Sequence, residues 1–409
     1  MSRSDQMSRV TSSSRVPVPG WLCPRWGGVL VAVALVALVL TGCGRQVPSY
    51  WPEVSLDTTG STLYVTETSG QVFALRPENG TVLWAYPLIE QRSGGLLGGC
   101  SAATVSDGPF HAPPIFTEEF VFLGSAGEQQ RSLFAQGENR GGLRVISKSG
   151  VLQWGFRGTA ERTVAAPSIS GTTAYLSSSD HRVYAIDLVT HESRWVYTTN
   201  SWVWATPLPV EGRVYIASMD HALYAVDDQT GTEVWRFTVS QSALPAAPAF
   251  SAGVLYVGSL GGHIYAVDAQ SGELKWDQTV VGGVWATPLV QEGVLYFGTL
   301  GGKVYALDAA EGTVIWDKSV EGETRGTPAY VNGTVYIGSE TGQLHAFDAR
   351  SGAPAISPLG IQTKPASIYT SPVFDGRYLY VASTDGQVFA LDPQKQQPVW
   401  QVNPMTAKN

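Results

Sequence analysis

The chain has 409 residues, among them 45 Gly, 17 Tyr and 13 Trp, and only 15% are charged. That composition argues against disorder and suits a turn-rich β protein with a large core to bury. Setting aside Arg3, Arg9, Arg15, Arg25 and Asp5 of the N-terminal leader, 22 basic residues face 33 acidic ones, a net of −11, which argues against a nucleic-acid partner.

Residues 1–26 carry four arginines and are followed by an apolar run of 14 residues, Gly27 to Leu40. That run is too short for a permanent membrane span and has the form of a signal peptide, with Met7 a second candidate start. It ends in Leu40-Thr41-Gly42-Cys43, small residues ahead of a cysteine, which resembles the bacterial lipobox. The resemblance implies removal of residues 1–42, lipidation of Cys43, a tether over 43–50, and a protein held by lipid outside the cytoplasm. The membrane would be the outer membrane in a diderm cell and the outer face of the cytoplasmic membrane in a monoderm one. The other cysteines are Cys23 in the leader and Cys100, so no disulfide framework is available.

From residue 51 to 402 the chain repeats itself. The stretch Ala286 to Trp316 shows the unit: four short apolar runs, Pro288 to Val290, Val294 to Gly298, Lys303 to Leu307 and Thr313 to Trp316. Gly293, Gly301-Gly302 and Gly312 fall between them, where tight hairpin turns demand positive φ. Each unit therefore reads as a four-stranded antiparallel meander, too small to bury its own faces. A marker of aromatic or His, Ala, apolar and usually Asp recurs as Phe73-Ala74-Leu75, Tyr184-Ala185-Ile186-Asp187, Tyr224-Ala225-Val226-Asp227 and Tyr265-Ala266-Val267-Asp268. It continues as Tyr305-Ala306-Leu307-Asp308, His345-Ala346-Phe347-Asp348 and Phe389-Ala390-Leu391-Asp392, with a degenerate copy at Leu143-Arg144-Val145-Ile146. A second marker is a tryptophan after a turn: Trp84, Trp154, Trp195, Trp235, Trp276, Trp316 and Trp400, with Ile356 in its place in the seventh unit. Neighbouring markers in the regular middle lie 40 or 41 residues apart, the signature of a propeller, and the count is eight.

The turns between second and third strands read Gly261-Gly262, Gly301-Gly302 or Asp385-Gly386, suited to two-residue primed hairpins. Asp180-His181 and Asp220-His221 fill the same slot, which makes both histidines turn residues of different blades rather than a metal pair. Two insertions interrupt the series, 88–108 with Cys100 after the first blade and 127–140 in the second. Residues 403–409 form a tail. The first unit begins with an inner strand at Glu53 and the eighth ends with an outer one at Trp400, so ring closure rests on packing between blades rather than on a shared sheet.

The Tyr-Ala-x-Asp and Gly-x-x-x-Trp repeats resemble the pyrroloquinoline-quinone-type (PQQ-like) propeller family over about Trp51 to Val402. In that family the tryptophan docks between adjacent blades, which makes Trp84 to Trp400 a structural girdle and not a cofactor box. Eight such blades behind a lipobox are most similar to BamB-type lipoproteins of the outer-membrane β-barrel assembly machinery. That resemblance implies a non-catalytic, monomeric scaffold for envelope proteins or unfolded membrane-protein substrates. A PQQ-dependent alcohol dehydrogenase is the catalytic alternative. Those enzymes use a vicinal cysteine pair and an acidic calcium site, and this chain has neither a Cys-Cys pair nor an acidic cluster apart from turns and strand ends, so no catalytic residue, metal or PQQ is expected. A ligand- or glycan-binding sensory propeller is the third reading.

Within the repeats one column varies. Three residues before the proline that opens each inner strand stand Val164, Trp204, Pro245, Trp285, Arg325 and Tyr369, with Phe110 or His111 in the second blade. Trp202 adds a second aromatic beside Trp204. Loops at the inner strands ring a propeller's channel mouth, so Trp202, Trp204, Trp285, Arg325 and Tyr369 are the candidate binding rim, of the residue types that dominate interaction hot spots. The alternative is that Trp204 and Trp285 pack on one another to plug the mouth.

Overall fold

A computed structural model describes residues 52–67, 70–87, 109–127, 131–132, 135–136, 141–240, 242–355, 359–360, 366–395 and 397–407. All that is described lies in one compact unit, 50–409. The lipobox, Cys43, Cys100 and the insertion 88–108 fall outside the described residues.

Eight four-stranded antiparallel sheets follow one another: Glu53–Tyr86, Ile115–Phe156, Ser168–Thr198, Leu208–Thr238, Ala249–Thr279, Leu289–Ser319, Ala329–Gly360 and Val373–Val402. In each the strands lie in chain order from the inside outward, and no sheet borrows a strand from another part of the chain. The protein is an all-β eight-bladed propeller. The 127–140 insertion contains one extra two-stranded ribbon, Arg131–Ser132 with Ala135–Gln136.

The sixth blade shows how the repeat works. Its strands are Leu289–Gln291, Val294–Gly298, Lys303–Asp308 and Val314–Ser319. Ala306 lies directly across from Tyr296 on one side and Trp316 on the other. A methyl group between the two rings lets them meet at 6.0 Å, which explains why the repeat holds alanine there. Trp316 sits mid-strand, not at the strand's end. Ile315 is an extra residue in the ladder, so Val314 and Ile315 both face solvent and the strict alternation of a strand is broken. Asp308 closes the hairpin: its Oδ1 accepts the N–H groups of Ala310 and Glu311, both at 2.9 Å. The chain then turns through Gly312 at φ 72°, whose N–H reaches the Asp308 carbonyl at 2.8 Å.

Neighbouring blades interlock through these rings. Trp316 Nε1 donates to the Ala349 carbonyl of the seventh blade at 2.9 Å, and Tyr296 Oη donates to the same oxygen at 3.1 Å. Trp235 and Tyr215 share Ala269 in the same way, and Trp276 and Tyr256 share Ala309. The ring face rests on the next blade's turn glycine; a Cβ on Gly312 would come within 2.6 Å of the Trp276 ring. The pattern closes the circle, for Trp400 and Tyr380 of the eighth blade both donate to Pro77 of the first, at 2.8 and 3.1 Å. One apolar cluster spans that seam, joining Val54, Leu63, Val65 and Phe73 to Tyr378, Tyr380 and Val388. Closure by packing is therefore what the structure has.

Two local readings differ from the sequence expectation, and a third falls outside the described residues. The hairpins between second and third strands have three-residue loops: Gly262 N–H bonds the Ser259 carbonyl at 3.3 Å and only the last loop residue has positive φ, which marks a type I turn with a bulge. In the third blade the turn-glycine slot holds His191 at φ 62°, and Trp154 stacks on its imidazole at 4.0 Å. In the seventh blade the described part of the outer strand is Leu359–Gly360, preceded by a bridge from Pro354 to Phe347, and Ile356 lies outside the described residues.

Candidate functional site

The variable column sits on the loops that lead from each outer strand to the next inner strand. These loops are pinned by a backbone bond that repeats around the ring. The N–H groups of Val203, Leu244, Val284, Thr324 and Ile368 donate to the carbonyls of Ser178, Ser218, Ser259, Thr299 and Ser339, each at the second-to-third-strand hairpin of the preceding blade. All five donors are buried. Carboxylates on those hairpins add a second tie: Asp180 accepts Ala160 N–H and Asp220 accepts Asn200 N–H, both at 2.7 Å. Asp180 and Asp220 also take the hydroxyls of Tyr184 and Tyr224, at 2.6 Å. His181 and His221 occupy the left-handed turn position, at φ 70° and 72°, as hairpin residues of separate blades.

The residue following each buried anchor is the column, and it stands half-buried at Val164, Trp204, Trp285, Arg325 and Tyr369. Pro245 is the buried exception. This register resolves the second blade: Phe110 is wholly buried and takes the anchor role, so His111 belongs to the column. Burial, with the charge of Arg162 adding to it, pushes the His111 imidazole down to about 4, so it is neutral at physiological pH.

The rim falls into two groups. At the entry to the fourth blade Trp202 and Trp204 stack with centroids 5.1 Å apart and planes 11° from parallel. Trp204 Nε1 donates to Ser179 Oγ at 3.3 Å, and the Trp202 carbonyl accepts Met219 N–H at 2.9 Å. Trp202 keeps 44% of its surface exposed although its backbone is tied down. At the entries to the sixth, seventh and eighth blades, the Arg325 guanidinium carbon lies 5.4 Å from the Trp285 ring centre and 5.1 Å from that of Tyr369. Its Nε and Nη2 both reach Glu323 Oε2, at 2.9 and 2.6 Å. The inner strands below are cross-tied, Thr327 Oγ1 donating to the Thr287 carbonyl and Thr327 N–H to Ser371 Oγ, both at 3.0 Å. Trp204 thus pairs with Trp202 and Trp285 with Arg325, in place of one plug formed by Trp204 and Trp285. Glu323 was missed by sequence reasoning; its position two residues before Arg325 was the available signal.

A propeller of eight PQQ-like blades, carrying a rim of fixed backbone and varied side chains, defines the class of protein: a rigid ring-shaped platform. The particular family follows from the sequence. The family model described as outer membrane protein assembly factor BamB matches residues 139–280 and 212–402, together more than half of the chain, and the chain belongs to this family. The crystal structure of BamB from Moraxella catarrhalis is similar, with a TM-score of 0.65 at 17% identity over 82% of this chain and 94% of that one. The computationally designed Ika8 protein has a TM-score of 0.62 at 16% identity, over 72% of this chain and 86% of the other. At such identities both likenesses speak for the fold alone. No curated protein sequence matches the chain.

Proposed function

We propose that this chain is a non-catalytic scaffold of the bacterial cell envelope, anchored by a lipid on Cys43, that binds envelope proteins or unfolded membrane-protein substrates through the rim of Trp202, Trp204, Trp285, Arg325 and Tyr369. The observation that carries the reading is the rim itself: its backbone is fixed by a repeated hydrogen bond while its side chains are aromatic or cationic and half-exposed. Such residues contribute contact area without a large ordering cost, since neighbours already hold them. Membership of the BamB family supports a place in outer-membrane protein assembly, and the shortage of positive charge on the mature chain argues against nucleic acid. No PQQ and no metal enter this reading.

The test is crosslinking in cells. The parent should yield envelope or outer-membrane proteins, and Trp204→Ala, Trp285→Ala and Arg325→Ala combined should lose them, each anchor being worth about 1–4 kcal/mol of binding. Recovery of glycan alone, or an unchanged crosslink pattern in a folded triple variant, would overturn it. For the anchor, Cys43→Ser should move the protein from the membrane to the soluble fraction, because the multiple acyl chains of a lipoprotein are what make anchoring stable; a variant that stays membrane-bound refutes lipidation there.

A further inference from the structure

Two aromatic faces and a carboxylate around a planar cation are what a site for an arginine side chain is made of, and here the cation is the chain's own Arg325. The walls come from three successive inter-blade loops, whose backbones are held by bonds that do not involve Arg325. Trp285 follows the pinned Val284, Tyr369 follows the pinned Ile368, and Glu323 donates its N–H to Glu340 Oε2 at 3.3 Å while accepting Glu340 N–H at 2.8 Å. The surroundings are acidic. Glu321, whose carbonyl takes the Thr341 hydroxyl, and Glu340, whose Oε2 accepts Glu323 N–H, are both exposed, so the loop and hairpin that carry Glu323 hold two further carboxylates. A surface of that sign attracts basic partners and disfavours acidic ones.

We propose that the Trp285–Tyr369–Glu323 cage is a recognition site for an arginine side chain on a partner's extended segment, occupied in the free protein by Arg325 as an internal competitor. The proposal rests on the reading of this rim as a docking surface and names the chemistry of what docks. An internal occupant on a short tether competes at an effective concentration on the order of millimolar, so a single arginine in a free peptide binds the parent weakly. A partner that also contacts the Trp202–Trp204 pair gains enough elsewhere on the rim to displace Arg325. Arg325 then keeps the cage closed to stray cations and leaves it when a segment long enough to span the rim arrives.

The experiment uses the full-length protein and a capped five-residue peptide with a central arginine, compared with the same peptide carrying citrulline, an isosteric neutral side chain. Binding is followed by calorimetry at fixed ionic strength. Arg325→Ala should bind the arginine peptide at least tenfold more tightly than the parent does and leave the citrulline peptide unchanged. Arg325→Gln, which keeps the stem in place, should give a smaller gain and serves if the alanine variant is poorly folded. Adding Tyr369→Leu or Glu323→Gln to Arg325→Ala should remove the gain. No gain in either Arg325 variant, an equal gain for citrulline, or a gain that survives loss of Tyr369 and Glu323 overturns the proposal. Its failure is separable from that of the scaffold reading: partners still crosslinked to the parent alongside an absent peptide gain sink the cage alone.

Discussion

Trp316 and Arg325 belong to the same stretch of one repeat and show what a repeat protein does with equivalent positions. Trp316 is buried, bonds the next blade's carbonyl, and has a counterpart doing the same thing at 84, 195, 235, 276 and 400. Arg325 stands half-exposed in a column whose other members are His111, Val164, Trp204, Pro245, Trp285 and Tyr369. The outer girdle repeats its chemistry because every blade must solve the same packing problem with the next. The inner rim has its backbone solved by the pinned anchor one residue earlier, which leaves its side chains free to differ. Uniformity marks what holds the ring, and variety over a fixed backbone marks what is available for binding.

The sharpest way to break this contrast is to remove one girdle ring. Trp316→Ala deletes a side chain only 6% exposed, leaves the Ala349 carbonyl short of a donor, and opens a void against Phe347. We expect it to destabilise by about 3–5 kcal/mol in a denaturant titration. Trp400→Ala, at the half-buried seam, should cost less. If Trp316→Ala melts with the parent, the girdle does not carry the ring.

The rim should show the opposite sensitivity, to pH. The native His111 pKa lies near 4, below the unfolded value of about 6.5, so the unfolded chain takes up a proton there that the native state refuses. Its contribution is full above pH about 6.5 and lost as the pH falls toward 4. Lowering the pH from 7 to 4.5 should therefore cost roughly 1–3 kcal/mol, part of which His111→Asn removes. His345, also pushed down by burial, acts in the same direction. The carboxylates that are held low titrate further down, Asp187 near 2 because backbone N–H of Thr190 and then Arg194 stabilise its charge. Equal losses in parent and His111→Asn, measured by urea titration at both pH values, would exclude this assignment.

Much of this was written in the sequence because the repeat is its own alignment. The period, the alanine opposite Tyr296 and Trp316, and the column before each proline are visible by laying one unit on the next. What stayed hidden has physical causes. Outer strands continue past the tryptophan to Ser319, but the bulge at Ile315 breaks the alternation that would have shown it. Phe110 and His111 could not be told apart until the burial of Phe110 fixed the register. Glu323 looked like any surface carboxylate, because its pairing with Arg325 depends on how one loop bends, which no pattern of polarity reports.

The smallest expected effect is at His191, where the girdle breaks its own rule. Six described turn positions that receive a ring are glycine, at 80, 150, 231, 272, 312 and 352, and each would bring a Cβ within 2.9 Å of it. His191 adopts the same left-handed backbone at φ 62° with a side chain present, and Trp154 meets its imidazole face to face, with planes 15° apart. His191→Gly relieves a left-handed residue, worth about 1–2 kcal/mol, and gives up a stacked contact of about 0.5–1.5 kcal/mol. The two nearly cancel, so stability should change by less than about 1 kcal/mol, a shift of roughly 2–4 °C or less in Tm. A loss of several degrees beyond that would mean the imidazole is the principal tie between second and third blades. A clear gain would mean the stack contributes little and the histidine is tolerated strain.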